Sequence, residues 1–293
     1  MLAQAITPNR FERNEDTLPL LDPHALASAA RTPSLDVAAR TDIGKKRDHN
    51  EDQYVVAHLG RWMRIAQTSV GVSGRDLTSP QGTLLVVADG IGGHGGGDVA
   101  SAVTLDAFVE HSLLAMPWFA SDTPEGEAML AADATRFLAE CQSRLRLIAE
   151  RKGLPPKLGT TLTAAYLSGS GLIIVHVGDT RCYRLRAQTL ERLTHDHTLG
   201  VALGEPNGNF AHVLVNAIGG SRELPKPEIV AHSWQAGDRI LLCSDGLHGP
   251  VDDVTIAGVL GGATSAGQAV DALIATALER GGPDNVTAVV GFA

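Results

Sequence analysis

The sequence predicts an α+β fold: a central β-sandwich of two mainly antiparallel sheets, flanked by helices in α-β-β-α layers. Helical patterns occupy two blocks of the chain, whereas short strand patterns follow one another closely, unlike the strict alternation of a doubly wound parallel sheet. Turn signals at 168–171 and 236–238 suggest antiparallel hairpins. Acidic clusters near both ends must meet to form one site, which favours a single domain over residues 36–293.

Bulk composition narrows the class of protein. The 293 residues are 44% hydrophobic and 19% charged, which is ordinary for a globular protein. The net charge of −9 argues against nucleic acid or an anionic membrane as the main partner, because both attract basic surfaces. No apolar run reaches the length of a membrane span, and residues 1–35 lack a signal-peptide pattern. Three cysteines without metal-type spacing predict reduced core thiols in a cytoplasmic protein.

The first elements surround a long excursion. Residues 1–35 show no sustained periodicity, so we expect a loosely ordered extension with a short helix near 24–31. Residues 36–58 and 83–88 have strand patterns. The Gly/Ser-rich stretch 58–82 between them is predicted to be a hairpin excursion.

Helices and short strands fill the rest of the chain. Apolar residues that share one helical face after Asp98 make that residue a predicted N-cap. A second helix is predicted over about 125–151 and a final helix over about 265–280, each followed by Gly and Pro residues that stop helices. Further strands are predicted at 161–167, 172–177, 182–186, 213–217, 228–233, 238–243 and 286–292.

Four short acidic clusters are the candidate functional residues. They are Asn50-Glu51-Asp52, Asp89-Gly90, Ser244-Asp245-Gly246 and Asp284-Asn285. The last three each adjoin a short apolar run, and carboxylates fixed at strand ends can be pre-organised around hard cations. Taken alone, each Asp beside a Gly is more often a turn residue. An earlier copy of the first cluster, Asn14-Glu15-Asp16, precedes a proline-rich stretch that makes a poor strand, so we favour the later copy.

The loop from Asp89 to His94 has an arrangement suited to a cation. Its glycines allow a tight turn and let backbone carbonyls approach a ligand. Asp89 offers a carboxylate and Gly90 a carbonyl, both oxygen donors that suit Mg²⁺ or Mn²⁺. A nucleotide phosphate loop is the competing interpretation, but neither of its usual signatures is present.

The ordered set of motifs resembles the metal-dependent protein phosphatases of the protein phosphatase 2C type, in particular their bacterial serine/threonine branch. Eight elements appear in the family's order over nearly all of the chain beyond residue 35. They are Arg47-x-x-Asn50-Glu51-Asp52, the Asp89–His94 loop with Ala100-Ser101, Gly159-Thr160-Thr161, Gly178-Asp179-Thr180-Arg181, Thr194-x-Asp196-His197, Ala217-Ile218-Gly219, Ser244-Asp245-Gly246-Leu247 and Asp284-Asn285.

The resemblance implies a centre of two Mn²⁺ or Mg²⁺ ions. Asp89 would bridge both ions, the Gly90 carbonyl would bind one, and Asp245 with Asp284 would bind the other. Asp52 would lie at the centre as a direct or close ligand, and Glu51 would act through water.

Three more residues take roles from the resemblance. Asp179, together with Asp245, matches a third and weaker metal position. Arg47 falls where the family places its phosphate-binding arginine, and a guanidinium fork suits phosphate oxygens. Asn285 would orient its neighbour. Ile91 stands where eukaryotic members have a histidine proposed as general acid, so the proton donor stays unassigned.

These residues predict a metal-dependent serine/threonine protein phosphatase. Arg47, Asp52 and Asp89 would be catalytic, and a metal-bridging hydroxide would attack phosphoserine or phosphothreonine directly. Partners would be phosphorylated proteins and a Hanks-type kinase that the enzyme opposes. Two alternatives stay open: a pseudophosphatase that only binds phosphoproteins, and a metallohydrolase of small phosphate esters.

Overall fold

Two five-stranded antiparallel sheets pack face to face in the computed structural model, and helices cover their outer faces. The structure describes residues 35–64, 76–92, 95–114, 124–169, 171–206, 208–221 and 223–293. Residues Thr32–Ala293 group into one compact unit. The α+β prediction is confirmed.

The structure contains thirteen strands in the described part of the chain. They are β1 (Asp36–Asp42), β2 (Gln53–Arg64), β3 (Asp76–Ala88), β4 (Gly90–Ile91), β5 (Gly159–Thr160), β6 (Leu162–Ser168), β7 (Gly171–Val177), β8 (Arg181–Arg186), β9 (Thr189–Arg192), β10 (Ile218–Gly219), β11 (Glu228–Ser233), β12 (Arg239–Cys243) and β13 (Val286–Phe292). The described helices are α1 (Gly97–Leu114), α2 (Pro124–Lys152), α3 (Leu199–Ala202), α4 (Asp245–His248), α5 (Asp253–Gly262) and α6 (Ala266–Glu279).

Each sheet buries both of its faces, because side chains alternate between two apolar layers along a strand. One sheet has the order β1-β13-β12-β8-β9, the other β11-β7-β6-β3-β2. In β3, Leu85 and Val87 face the layer between the sheets, while Leu84 and Val86 pack in the layer that includes α1 and α2. Helices α5 and α6 cover the outer face of the other sheet. The cysteines are free and buried, as predicted.

A third, small sheet joins β10, β5 and β4 and brings two predicted motifs together. Gly90 pairs with Thr160, and Thr160 in turn pairs with Ile218. The small sheet therefore fixes the Asp89 loop against the Gly159-Thr160-Thr161 segment. Among the described helices, none combines the length and apolar character that a membrane crossing needs.

Several predicted elements need correction. The strand predicted at 36–58 is two strands, because the loop from Ile43 to Asp52 leaves the sheet. Segment 213–217 is not a strand: Leu214 forms only an isolated bridge with Thr198. Helix α1 begins at Gly97, so Asp98 lies in its first turn rather than at the N-cap.

The turn at 236–238 does not close a hairpin. Strand β11 pairs with β7, whereas β12 pairs with β8 and β13, so this turn carries the chain from one sheet to the other. The hairpin predicted at 168–171 is present as β6 and β7. Helices α3, α4 and α5 were not predicted. The predicted helix near 24–31, the tripeptide at 14–16 and His94 lie outside the described residues.

Candidate metal centre

The predicted acidic residues meet in one cavity of about 660 Å³. Asp89 directly follows β3, and Asp179 lies in the turn between β7 and β8. Asp245 opens α4 just beyond β12, and Asp284 lies shortly before β13. All four line the cavity, as do Arg47, Glu51 and Gly90.

Asp89 is held through its backbone, which leaves the carboxylate to the cavity. The Thr161 amide and the Thr160 hydroxyl donate to the Asp89 carbonyl at 2.9 and 2.8 Å. The Asp89 amide donates to the Thr161 hydroxyl at 2.9 Å. Burial and the neighbouring carboxylates, Asp52 first among them, raise the pKa of Asp89 well above its usual value.

Asp52 lies beneath the cavity with 2% of its surface exposed. Its Oδ2 accepts hydrogen bonds from the Ser244 and Thr287 hydroxyls, at 2.6 and 2.7 Å. These hydroxyls come from the ends of β12 and β13, so the sandwich itself fixes the orientation of this carboxylate. Burial is the main cause that raises the pKa of Asp52 to about 7.

Glu51 and Gly90 are joined through their backbones. The Gly90 amide and the Ser101 hydroxyl both donate to the Glu51 carbonyl, at 3.1 and 2.6 Å. Desolvation raises the pKa of the Glu51 carboxyl. A Cβ at Gly90 would lie 2.2 Å from the Gly97 carbonyl oxygen, so this close approach of two chain segments requires glycine.

Asp179, in the turn that joins the two sheets, and Asp245, beyond β12, complete the acidic lining. Asp179 is 7% exposed, and burial followed by the charge of Asp245 raises its pKa to about 7. Burial and the charge of Asp284 raise the pKa of Asp245. The turn needs glycine at Gly178, which has a φ of 114° and where a Cβ would lie 2.5 Å from the Thr161 Cβ.

Arg47 provides a guanidinium at the rim of this acidic cavity. Its Nη2 lies 2.6 Å from Asp284 Oδ2, and 46% of its side chain is exposed. The other Asp284 oxygen accepts from the Asn285 amide at 2.8 Å. The hydrogen bond to Asp284 is the main cause that raises the pKa of Arg47. The guanidinium is therefore cationic and open to solvent beside four carboxylates.

Asn285 fastens the loop that carries Arg47. Its Nδ2 donates to the Ile43 and His49 carbonyls, both at 2.9 Å, and its Oδ1 accepts from the Glu51 amide at 2.8 Å. The structure therefore gives this side chain contacts with the loop before β2. Its predicted role as an orienter of its own neighbour stays a prediction.

The donor set fits hard divalent cations. Burying carboxylates together is unfavourable unless protons or cations compensate them, and the raised pKa values of Asp52, Asp89 and Asp179 express that cost. Oxygen ligands held on strand ends suit Mg²⁺ and Mn²⁺. Each ligand assignment remains a prediction: Glu51, Asp89, Gly90, Asp179, Asp245 and Asp284 line one cavity, and Asp52 is not among its lining residues.

Three residues of this region were missed by sequence reasoning. His212 and Leu214 line the cavity from the segment between α3 and β10. His248, on α4, donates from Nε2 to the Asp179 carbonyl at 3.0 Å, and burial lowers its pKa to about 3. No local pattern marks His212. His248 could have been found three residues after Asp245, had the short helix been predicted.

A second group of potential ligands consists of His176, His197 and Glu228. Both His176 nitrogens are already bonded, Nδ1 to the Thr163 hydroxyl at 2.8 Å and Nε2 to the His195 carbonyl at 3.0 Å. His197 Nδ1 accepts from the Gly178 amide at 3.1 Å and from Asn216 Nδ2 at 3.0 Å. These bonds occupy both nitrogens of His176 and Nδ1 of His197, while His197 Nε2 lies 3.8 Å from Glu228 Oε2. Because His176 has no free nitrogen, the three groups do not form a ready ligand set, and the cluster is a hydrogen-bonded support.

Comparison with known proteins identifies the family. Serine/threonine protein phosphatase PstP of Mycobacterium tuberculosis is 34% identical over 265 residues, 86% of this chain and 44% of PstP. Serine/threonine phosphatase stp of Listeria welshimeri is 32% identical over 86% of this chain and 93% of its own length. A crystal structure of the PstP catalytic domain with two manganese ions covers 88% of this chain and 97% of that chain, at 34% identity and a TM-score of 0.65.

These relatives differ in how much of them the chain spans. It covers less than half of PstP but nearly the whole of the Listeria phosphatase. A family model described as protein phosphatase 2C matches residues 74–282. That match includes Asp89, Asp179 and Asp245, and Asp284 lies just beyond it. The chain belongs to the protein phosphatase 2C family.

Proposed function

We propose that the chain is a metal-dependent serine/threonine protein phosphatase that hydrolyses phosphoserine and phosphothreonine in proteins. The observation that carries this proposal is the meeting of Arg47 with four buried or half-buried carboxylates in one cavity. A bare acidic cavity would serve many cation-binding proteins, but the guanidinium beside it adds a donor for phosphate oxygens. The names of the relatives, serine/threonine phosphatases, support the same reaction.

The proposed cofactors are two Mn²⁺ or Mg²⁺ ions, with a third position at Asp179. Asp89, Asp245, Asp284 and the Gly90 carbonyl would hold the two ions, with Asp52 as a direct or close ligand and Glu51 acting through water. When bound, such ions lower the pKa of a water molecule and neutralise phosphoryl oxygens during in-line displacement. The two manganese ions in the PstP catalytic domain support this assignment.

The chain's own groups orient the reactants. Arg47 would bind the substrate phosphate through its planar fork of N–H donors, one of which bonds Asp284. Ser244 and Thr287 keep the Asp52 carboxylate in one orientation by donating to the same oxygen. The Thr160-Thr161 segment holds the Asp89 backbone. Pre-organisation of this kind reduces the rearrangement that catalysis needs.

The wider setting belongs to the same proposal. Residues 36–293 form the catalytic domain, preceded by an extension over residues 1–35. The substrates are phosphorylated proteins, and the partner is a Hanks-type serine/threonine kinase whose signalling the phosphatase reverses. The protein acts in the cytoplasm, and its three free, buried cysteines suit a reducing compartment.

Turnover with and without metal tests the proposal. We expect para-nitrophenyl phosphate and phosphothreonine peptides to be hydrolysed with Mn²⁺ or Mg²⁺ and not with EDTA, with a higher kcat/KM for the peptides. A folded protein that binds phosphopeptide but shows no metal-stimulated turnover would instead be a pseudophosphatase. Turnover of small esters alone would indicate a metallohydrolase of those esters.

A further inference from the structure

The turn that carries Asp179 is held from outside by bonds to its backbone. The Gly178 amide donates to His197 Nδ1 at 3.1 Å, and the His197 amide donates to the Gly178 carbonyl at 2.7 Å. The Thr163 hydroxyl donates to the Thr180 carbonyl at 3.2 Å. His248 completes the set, with Nε2 3.0 Å from the Asp179 carbonyl oxygen.

His248 differs from the other supports in where it comes from. It is the last residue of α4, a helix of one turn that begins with Asp245. The bond from His248 to Asp179 therefore ties the helix that carries one carboxylate to the turn that carries another. The opposite end of α4 is fixed as well, because the Ser244 hydroxyl donates to Asp52 instead of capping the helix.

The bond from His248 to Asp179 opposes the electrostatic repulsion between two carboxylates. Asp179 and Asp245 lie on different elements, and the charge of Asp245 disfavours ionisation of Asp179. Two ionised carboxylates in a buried cavity repel each other, so an unrestrained turn would move away until a cation arrived. A neutral N–H donor on a backbone carbonyl can hold the turn without adding charge.

We propose that His248 is a positioning residue for the cation position formed by Asp179 and Asp245. The inference rests on the proposed function, since it concerns the third ion of that centre. Groups that orient a ligand without touching the metal typically change affinity by about 10- to 100-fold when removed. His248 is expected to act in this way through the Asp179 backbone, and not as a ligand.

Binding of Mn²⁺ tests this role independently of catalysis. Free Mn²⁺ is measured by electron paramagnetic resonance during titration of the metal-free full chain. We expect three bound ions per chain for the wild type and two for Asp179→Asn. His248→Leu, which removes the donor, should lower the affinity for one of the three ions by about tenfold or more. His248→Gln, whose amide N–H can reach the same carbonyl, should restore most of that affinity.

A double variant separates positioning from a general loss of structure. If His248 acts through Asp179, then His248→Leu combined with Asp179→Asn should bind Mn²⁺ like Asp179→Asn alone. If the double variant bound its remaining ions more weakly than Asp179→Asn does, the positioning role of His248 would be overturned. Unchanged Mn²⁺ binding by folded His248→Leu would overturn it as well. Should the leucine variant not fold, His248→Asn, whose shorter amide does not reach the carbonyl, replaces it.

The number of bound Mn²⁺ ions distinguishes a failure of the His248 role from a failure of the proposed phosphatase function. A wild-type chain that binds two ions, with Asp179→Asn unchanged, would overturn the positioning role and leave the two-metal phosphatase intact. A wild-type chain that binds no Mn²⁺ would overturn the proposed function itself, and the role of His248 with it.

Discussion

Asp89 shows how a functional residue can oppose stability. It lies among Asp52, Asp179 and Asp245, and the resulting repulsion and burial raise its pKa well above normal. A folded chain without cations therefore carries a carboxylate in a place where charge is unfavourable. The surrounding strands hold Asp89 in this position in spite of the unfavourable burial of its charge.

The variant Asp89→Asn should affect activity and stability in opposite directions. We expect metal-stimulated turnover to fall about 100-fold or more, because the proposed bridging ligand loses its charge. The metal-free variant should melt a few degrees higher than the wild type at neutral pH, because asparagine replaces a carboxyl group whose ionisation the fold disfavours. Activity assays at saturating Mn²⁺ and thermal melts in EDTA measure the two effects. Near-normal turnover would contradict the assignment of Asp89.

Arg47→Ala should mainly weaken substrate binding. Because the guanidinium is proposed to bind the substrate phosphate, KM should rise about tenfold while kcat changes less. The ion pair with Asp284 is 46% exposed on the arginine side, so the free energy of unfolding should change by less than about 1 kcal/mol. Steady-state kinetics with a phosphothreonine peptide give both constants, with Arg47→Lys as the charge-retaining control. An unchanged KM would rule out phosphate binding by Arg47.

At the scale of elements, the Asn285 side chain is a main anchor of the loop between β1 and β2. Asn285 makes three hydrogen bonds to that loop and is only 5% exposed. The bonds reach both sides of Arg47 in the chain. The loop that presents the guanidinium is therefore anchored at the start of β13.

Removal of this anchor by Asn285→Ala should cost about 3 kcal/mol of unfolding free energy, since each lost bond contributes about 1 kcal/mol. Urea denaturation measures the loss, and amide hydrogen exchange should show faster exchange across residues 43–51. Asp271→Asn is a suitable control, because that carboxylate is 71% exposed and its pairing with Arg40 adds little. Equal stability of the two variants would contradict the anchoring role.

Elements with strong local patterns were predictable from the sequence, and those defined by tertiary pairing were not. Strands β11 and β13 have the predicted bounds, because apolar runs between turn residues mark them. The segment before β10 looks like a strand but bonds the loop around α3, with Leu199 donating to the Val213 carbonyl. Nothing local reveals that β11 and β12 belong to different sheets.

The residues of the candidate site also fall into those that a local sequence pattern predicts and those that depend on tertiary pairing. The aspartates were predictable because each adjoins a strand and a glycine or asparagine, a local signal that sequence order strengthens. The supporting groups were not, since they depend on which strands become neighbours. Ser244 and Thr287 reach Asp52 only because β12 and β13 pair. His212 enters the cavity from a segment with no regular element of its own.

At the scale of the whole molecule, the acidic centre should make stability depend on pH and metal together. Folding raises the pKa of Asp52 and Asp179 to about 7, from about 4 in an unfolded chain, and it also raises the pKa of Asp89 well above its usual value. The folded, metal-free protein therefore binds more protons than the unfolded chain above about pH 4. The contribution of these three carboxyl groups to the free energy of unfolding therefore decreases as pH rises towards and through 7.

We expect the stabilisation by Mn²⁺ to grow between about pH 6 and 7.5, because cations replace the protons that these carboxylates lose. The lowered pKa of His176, about 4, gives the opposite slope in the metal-free protein, but this slope is the same with metal bound. The difference between melting temperatures with Mn²⁺ and with EDTA isolates the carboxylates. A difference that shrinks as pH rises would contradict the assignment.

Strand β13 has a consequence for how the chain is made. It follows every other described strand in the sequence, yet it lies inside its sheet, between β1 and β12. Until β13 is in place, the facing edges of β1 and β12 have unpaired backbone groups, and such edges can pair with other strands. Thr287, which orients Asp52, arrives with the same strand. The sheet and the cation cavity are therefore completed together, when β13 inserts between β1 and β12.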